Sequence, residues 1–346
     1  MIYFNNDYSE GCHPTVLKRM IETNMEQTPG YGVDHYCSQA TRYIRRLCKN
    51  DAVDVHFLVG GTQANLTVID AALRPHQAVL GAESAHINVH ETGAVEATGH
   101  KVLSVPSHDG KITAYQVELA AKSHREDEAA EHTVQPKMVY ISNPTELGTV
   151  YTLAELESLS TACKNNGMYL FLDGARLGYG LAAKGNDVTI ADIARLCDVF
   201  YIGGTKVGAM FGEAVVISNP SIAADFRYMI KQHGGMLAKG RLLGLQFSAL
   251  LEDGLYFEIA AHANSLAEQI RNTIQHLGYR FLVPTTTNQI FAILPDILLD
   301  KLAENFTFSQ QERIDESHRA VRFCTSWATT QKNVDALCDE LTRLSK

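Results

Sequence analysis

Seven short apolar runs punctuate the first two thirds of the chain: "VHFLV" (55–59), "AVLGA" (78–82), "KVLSV" (101–105), "KMVYI" (137–141), "MYLFL" (168–172), "VFYI" (199–202) and "AVVI" (214–217). Several are nearly continuous in Val, Ile, Leu, Phe and Tyr, the pattern of strands covered on both faces. Amphipathic segments alternate with them. "TQANLTVIDAAL" follows the first run, and "TLAELESLSTACKNNG" precedes the fifth, with Thr152 as N-cap and Gly167 as the stop. This alternation predicts an α/β layer on a mostly parallel sheet. After about Gly244 the texture changes. One long helical pattern, "LLGLQFSALLEDGLYFEIAAHANSLAEQIRNTIQHLG", leads into "YRFLVP", "QIFAILP" and "HRAVRFCTSW". The expected division is a large α/β domain over 1–245, opening with an N-terminal segment 1–13, and a small α+β domain over 246–346. The polar stretch 120–133 reads as exposed helix or loop.

Composition narrows the function classes. The 346 residues are 45% hydrophobic and 20% charged, ordinary for a globular protein. Lys+Arg 30 against Asp+Glu 39 leaves a net charge of -9 with no basic block, poorly suited to nucleic acid. No uninterrupted apolar run approaches the roughly 18 residues of a membrane span. The opening "MIYFNNDYSEGCHP" lacks the charged and apolar regions of a signal peptide. Seven scattered cysteines form no C-x-x-C pair, so reduced thiols in a cytoplasmic protein are expected.

Three constellations carry chemistry. In "DVFYIGGTKVGAMFGEAVVI" (198–217), Lys206 stands between two apolar strands beside small residues. An exposed turn lysine is the plain alternative. A recessed ammonium has a lowered pKa, as a lysine that bonds an aldehyde requires. In "LFLDGARLGYG" (170–180), Asp173 falls at the end of a core strand, where open α/β sheets bind ligands. It could instead merely cap the turn that follows. In "LVGGTQANLTVI" (58–69), strand, Gly-Gly-Thr and helix start form a phosphate cup or a simple left-handed turn. An acid for a pyridine nitrogen, a lysine for an aldehyde and a phosphate cup together describe a site for pyridoxal 5'-phosphate (PLP). Two other motifs compete. Gly178-x-Gly180-x-x-Ala183 matches a dinucleotide fingerprint, but "DGARL" separates it from its strand. His86 and His90 in "HINVH" have helical spacing for a metal, but lack the H-E-x-x-H pattern and a third ligand. No metal is expected.

The set resembles threonine aldolases of PLP fold type I, in the β-eliminating lyase group, over nearly the whole chain. It is carried by "GGTQAN" (60–65), "SAHINVHETGAVEATGH" (84–100), "NPTELGTVYT" (143–152), "LDGARLGYG" (172–180), "FYIGGTKVG" (200–208) and "VRFCTSW" (321–327). The resemblance implies an aspartate aminotransferase-like fold, with a mostly parallel seven-stranded sheet in the large domain and a smaller α+β C-terminal domain. It also implies low-specificity, L-selective cleavage of β-hydroxy-α-amino acids such as L-threonine and L-allo-threonine to glycine and an aldehyde. Another lyase of the same scaffold, carrying out β-elimination or racemisation, is the alternative.

The resemblance also distributes roles. Lys206 holds the cofactor aldehyde, Asp173 faces its ring nitrogen, and His86 stacks on the ring. Gly61 and Thr62, with Thr205 a weaker candidate, meet the phosphate. Arg176 reaches the phenolic oxygen and the substrate carboxylate, and Arg322 is the second carboxylate arginine. Tyr31 is supplied across a dimer interface in a homotetramer (a dimer of dimers), and Lys231, Lys239 and Arg241 are candidates for reaching a neighbour's phosphate. Two departures stand out. Asn6 occupies the place of a family serine that touches the substrate carboxylate. Glu146 lies where one branch carries a histidine, so the base for the substrate hydroxyl is Glu146, a histidine or water.

Overall fold

The computed structural model describes residues 1–346. After β1 (Ile2–Tyr3), seven strands build the main sheet: β2 (Asp54–Leu58), β3 (Gln77–Ala82), β4 (Lys101–Val105), β5 (Gln135–Ser142), β6 (Tyr169–Asp173), β7 (Val199–Gly203) and β8 (Glu213–Ile217). Each predicted run coincides with one of these strands to within two residues at either end. The order is β2-β8-β7-β6-β5-β3-β4, parallel throughout except for β8, which runs antiparallel to both neighbours. Every residue of β3, β7 and β8 is buried, which is why those segments read as continuous rather than alternating apolar runs. Because β2, β6 and β7 share one direction, the turns after Leu58, Asp173 and Gly203 open at the same end of the sheet.

Local chemistry sets the connecting helices. Helix Leu153–Asn165 begins with a reciprocal capping box between Thr152 and Glu155, and Gly167 (φ 62) turns the chain away after it. Part of the polar stretch 120–133 belongs to the exposed helix Ala114–Glu126. The long helical pattern beyond Gly244 divides in two, Arg241–Leu251 and Leu255–His276. Gly254, at φ 79, makes the break with a left-handed residue that any side chain would disfavour.

The small domain contains β9 (Arg280–Phe281), β10 (Gln289–Pro295), β11 (Phe306–Thr307), β12 (Ser309–Arg313) and β13 (His318–Cys324). Four of these form an antiparallel sheet in the order β12-β13-β10-β9. Two expected boundaries shift. The large core runs on through Ala263 and the small core starts at Leu266, so the domains meet inside helix Leu255–His276 and not at 245/246. The N-terminal segment also joins the small domain: β1 pairs with β11, and Phe4 is buried in the small core. Periodicity reads neighbours in sequence and is blind to this pairing of the two chain ends. Phe4→Ala should destabilise the protein by about 3–5 kcal/mol, the usual cost of truncating a fully buried Phe. Urea unfolding of the two proteins measures it.

Candidate active site

At the carboxyl end of the main sheet lies a cleft. Gly61, His86, Glu146, Asp173, Arg176 and Lys206 all line it, together with Ser142 and Tyr201. They come from five strand ends and the connections that follow them. Gly61 opens the helix after β2, His86 starts the short helix after β3, and Glu146 follows β5. Asp173 ends β6, and Lys206 sits between β7 and β8.

Lys206 is recessed, and its backbone carbonyl accepts a 2.5 Å hydrogen bond from Tyr179 Oη. Burial pulls its pKa below the ordinary lysine value and the Arg176 charge adds to this, against the opposing pull of Asp7, Asp173 and Glu213. The amine is thereby readied to act as a nucleophile. Asp173 is buried. Its Oδ1 accepts from Ala175 N at 2.9 Å, and its Oδ2 from Tyr140 Oη at 2.5 Å and Asn65 Nδ2 at 3.2 Å. Burial alone would raise its pKa, but the hydroxyls of Tyr140 and Tyr201 and the Ala175 N–H hold it below the usual carboxylate range. Asp173 therefore stays ionised without solvent.

The remaining expected residues divide into those that face the cleft and those committed elsewhere. Glu146 Oε1 accepts from the backbone N–H of His86 at 2.9 Å and from Ser142 Oγ at 2.7 Å. Burial, reinforced by the Asp173 charge, pushes its carboxyl up. Thr62 begins helix Gly61–Ala72 and is exposed. Thr205 does not turn to the cleft: its hydroxyl donates to Glu213 Oε1 at 2.8 Å and accepts from Gly212 N at 3.0 Å. Arg176 is not a free fork either. Its Nε and Nη2 grip the fully buried Asp7 at 2.7 and 3.0 Å, and Asp7 also accepts from Asn288 Nδ2 at 2.9 Å. Burial would raise the Asp7 pKa; the Arg176 and Lys206 charges bring it below the ordinary value instead.

Arg322 donates from Nη1 to Gln289 Oε1 at 3.1 Å and from Nη2 to the Asn5 carbonyl at 3.0 Å, while its buried Nε has no partner. His90 feels both arginines. Its pKa is lowered by burial first, then by His86, Arg322 and Arg176. Asn6 is occupied locally, its Oδ1 accepting from Tyr8 N and Ser9 Oγ. Tyr31 does not line its own chain's cleft. It is 48% exposed beside a second cavity, with the Lys231 ammonium 5.3 Å over its ring. Lys239 and Arg241 border a third, separate cavity.

The side chains at this cleft fit PLP. Helix Gly61–Ala72 starts at Gly60 without any side-chain cap, leaving backbone N–H groups for an anion. A Cβ on Gly61 would stand 3.2 Å from Tyr201 Oη, so the glycine keeps that approach open. A buried anionic carboxylate and a recessed amine face the same space. Sequence reasoning missed Asp7, Asn65, Glu91, Tyr140 and Glu213. Asn65 and Glu91 lie inside motifs quoted above, and a polar residue four positions after Gly61 on a buried helix face was the available signal.

Fold and site together define a PLP-dependent lyase of fold type I. The chain belongs to the beta-eliminating lyase family, whose model matches residues 7–296. It is 31% identical over 346 residues to the low specificity L-threonine aldolase of Pseudomonas sp. (strain NCIMB 10558), covering 98% of this chain and 96% of that protein. The low specificity L-threonine aldolase of Saccharomyces cerevisiae is 26% identical over 310 residues, covering 86% of this chain and 77% of that protein. Among solved structures, Leishmania major threonine aldolase superposes with a TM-score of 0.97 at 46% identity, covering 100% of both chains. A double mutant of Thermus thermophilus aspartate aminotransferase, at 16% identity, shares the fold with a TM-score of 0.71, covering 99% of this chain and 91% of that one.

Glu213 gives a pH test of the site's electrostatics. It is buried behind Lys206, accepts from Gly204 N and Thr205 Oγ1, and burial pushes its pKa to about 8 against the pull of Lys206. A carboxyl raised in the folded state stabilises the fold at pH values below its unfolded pKa, and that contribution is lost as pH rises through the folded value. The melting temperature of the wild type should therefore fall relative to Glu213→Gln between about pH 4.5 and 8. Parallel melting curves across that range would refute the assignment.

Proposed function

We propose that this chain cleaves L-threonine, L-allo-threonine and related β-hydroxy-α-amino acids to glycine and an aldehyde by retro-aldol chemistry. The observation that carries this reading is the shared cleft of Lys206, Asp173, His86 and Glu146 at the carboxyl end of the sheet. When bound, PLP supplies an electron sink for the pair released as the Cα–Cβ bond breaks. Lys206 is the amine that would hold its aldehyde, Asp173 the carboxylate at the ring nitrogen, and His86 the ring against its face. The free N–H groups at Gly61 and the Thr62 hydroxyl would take the phosphate.

The chain's own residues then account for binding and proton movement. Arg176, through Nη1, takes the amino acid carboxylate while Asp7 braces its Nε and Nη2, and Arg322, braced by Gln289 and the Asn5 carbonyl, is the second carboxylate arginine. Glu146 has the raised pKa of a useful base and accepts the proton of the β-hydroxyl. Returning a proton to Cα completes glycine. Tyr31 belongs to the same proposal as a residue given to a neighbouring subunit. Its exposure and its absence from the lining of its own cleft support a site completed across a dimer interface; a dimer of dimers in the cytoplasm is part of the same proposal. A β-eliminating or racemising enzyme on the same scaffold is the rival.

The test is product analysis with L-threonine. Glycine and acetaldehyde in equal amounts are expected, and 2-oxobutanoate with ammonia, or D-allo-threonine, would replace this proposal by its rival. Lys206→Ala should abolish turnover and the visible absorption of bound PLP. Arg322→Lys should raise KM for threonine about tenfold, through loss of a planar bidentate donor, while PLP stays bound. An unchanged KM would remove Arg322 from the substrate site.

A further inference from the structure

Next to the cleft, and used by none of the roles above, lies a buried carboxylate. The Glu91 side chain is wholly excluded from solvent, and its Oε1 stands 2.7 Å from His86 Nδ1. The same oxygen accepts from Asn65 Nδ2 at 2.7 Å. Asn65 is itself fully buried, and its amide nitrogen also reaches Asp173 Oδ2 at 3.2 Å. One amide nitrogen has two hydrogens, and here each goes to a different buried carboxylate. Because both neighbours are acceptors, the amide can only face this way round. Glu91 Oε2 has no partner at all. A carboxylate buried on such terms is a costly way to fill space, and an apolar side chain would do that better.

The backbone is shaped around it. Directly after Glu91 the chain passes through two left-handed residues, Thr92 (φ 54) and Gly93 (φ 72). A β-branched residue rarely takes that conformation, and strain of this kind collects where the surrounding structure over-determines a position.

We propose that Glu91 is the positioning residue for His86, and that Asn65 carries its hold across to Asp173. Since Glu91 Oε1 accepts, the imidazole must donate from Nδ1, which leaves Nε2 as the free ring nitrogen. A neutral ring locked in this tautomer can accept a proton at Nε2; the other tautomer cannot. The charged and titratable groups around the ring are Glu91 at Nδ1, Glu146 at the backbone N–H, the His90 ring at 5.5 Å and Asp173. Of these, Glu91 alone bonds a ring nitrogen. Asn65 lies one helical turn after Gly61, so the helix that opens the phosphate cup also ties the two carboxylates together.

The inference rests on the PLP-site reading, and the experiment separates the two. Holoenzyme labelled with nitrogen-15 histidine is examined by long-range proton–nitrogen correlation, alongside steady-state cleavage of L-threonine. The wild type should show His86 protonated at Nδ1. Glu91→Leu should move the ring toward the Nε2–H form and lower kcat about tenfold or more, with KM and PLP affinity changed less than about threefold. Glu91→Gln keeps an acceptor oxygen without the charge, and should retain the tautomer and most of the activity. A wild-type ring protonated at Nε2 overturns the inference whether or not the leucine variant folds. So does a leucine variant with unchanged tautomer or kcat. A wild type that binds no PLP overturns the functional reading itself.

Discussion

An acid and an amine drawn away from water at the ends of adjacent parallel strands are the constraint around which this molecule is arranged. Asp173 closes β6 and Lys206 follows β7, and the parallel pairing of those strands puts both at one edge of the sheet. Burial works against each charged form. The surroundings answer differently on the two sides. Around Asp173, tyrosine hydroxyls and a backbone N–H stabilise the anion; around Lys206, loss of solvent and the Arg176 charge favour the neutral amine. One wall thus keeps a carboxylate ionised while the other keeps an amine reactive, a separation of roles achieved by environment rather than residue type.

Much of this was legible in the chain. The seven sheet strands could be read because buried parallel strands leave continuous apolar runs, and Lys206 and Asp173 stood out because ionisable groups directly follow such runs. The supporting groups left no comparable trace. Asp7 and Arg176 are 169 residues apart, and Asn65 and Asp173 are 108 apart. Such partners meet only through the tertiary fold. Local pattern identifies groups that face the reaction; it does not identify what they lean on. Thr205 shows the reverse error, since a hydroxyl beside the key lysine is spent on Glu213.

The domain junction was misread for a related reason. Helical periodicity continues through Leu255–His276 without a mark where one core gives way to the other. The N-terminal strand is similarly silent in sequence, yet it links the domains. Phe4 fills the small core, the Asn5 carbonyl receives Arg322, and Asp7 holds Arg176 of the large domain. Both arginines assigned to the substrate carboxylate are therefore braced by the same short stretch, residues 5–7.

That arrangement has a bearing on how the protein is made. β1 leaves the ribosome among the first residues, but its partner β11 lies at Phe306–Thr307 and the strand that receives the Phe4 carbonyl ends at Cys324. The large sheet, complete by Ile217, can assemble while synthesis continues, whereas the amino terminus must wait for nearly the entire polypeptide. That segment cannot dock before residues 306–324 have been made, and nascent chains lack a braced anion pocket until then.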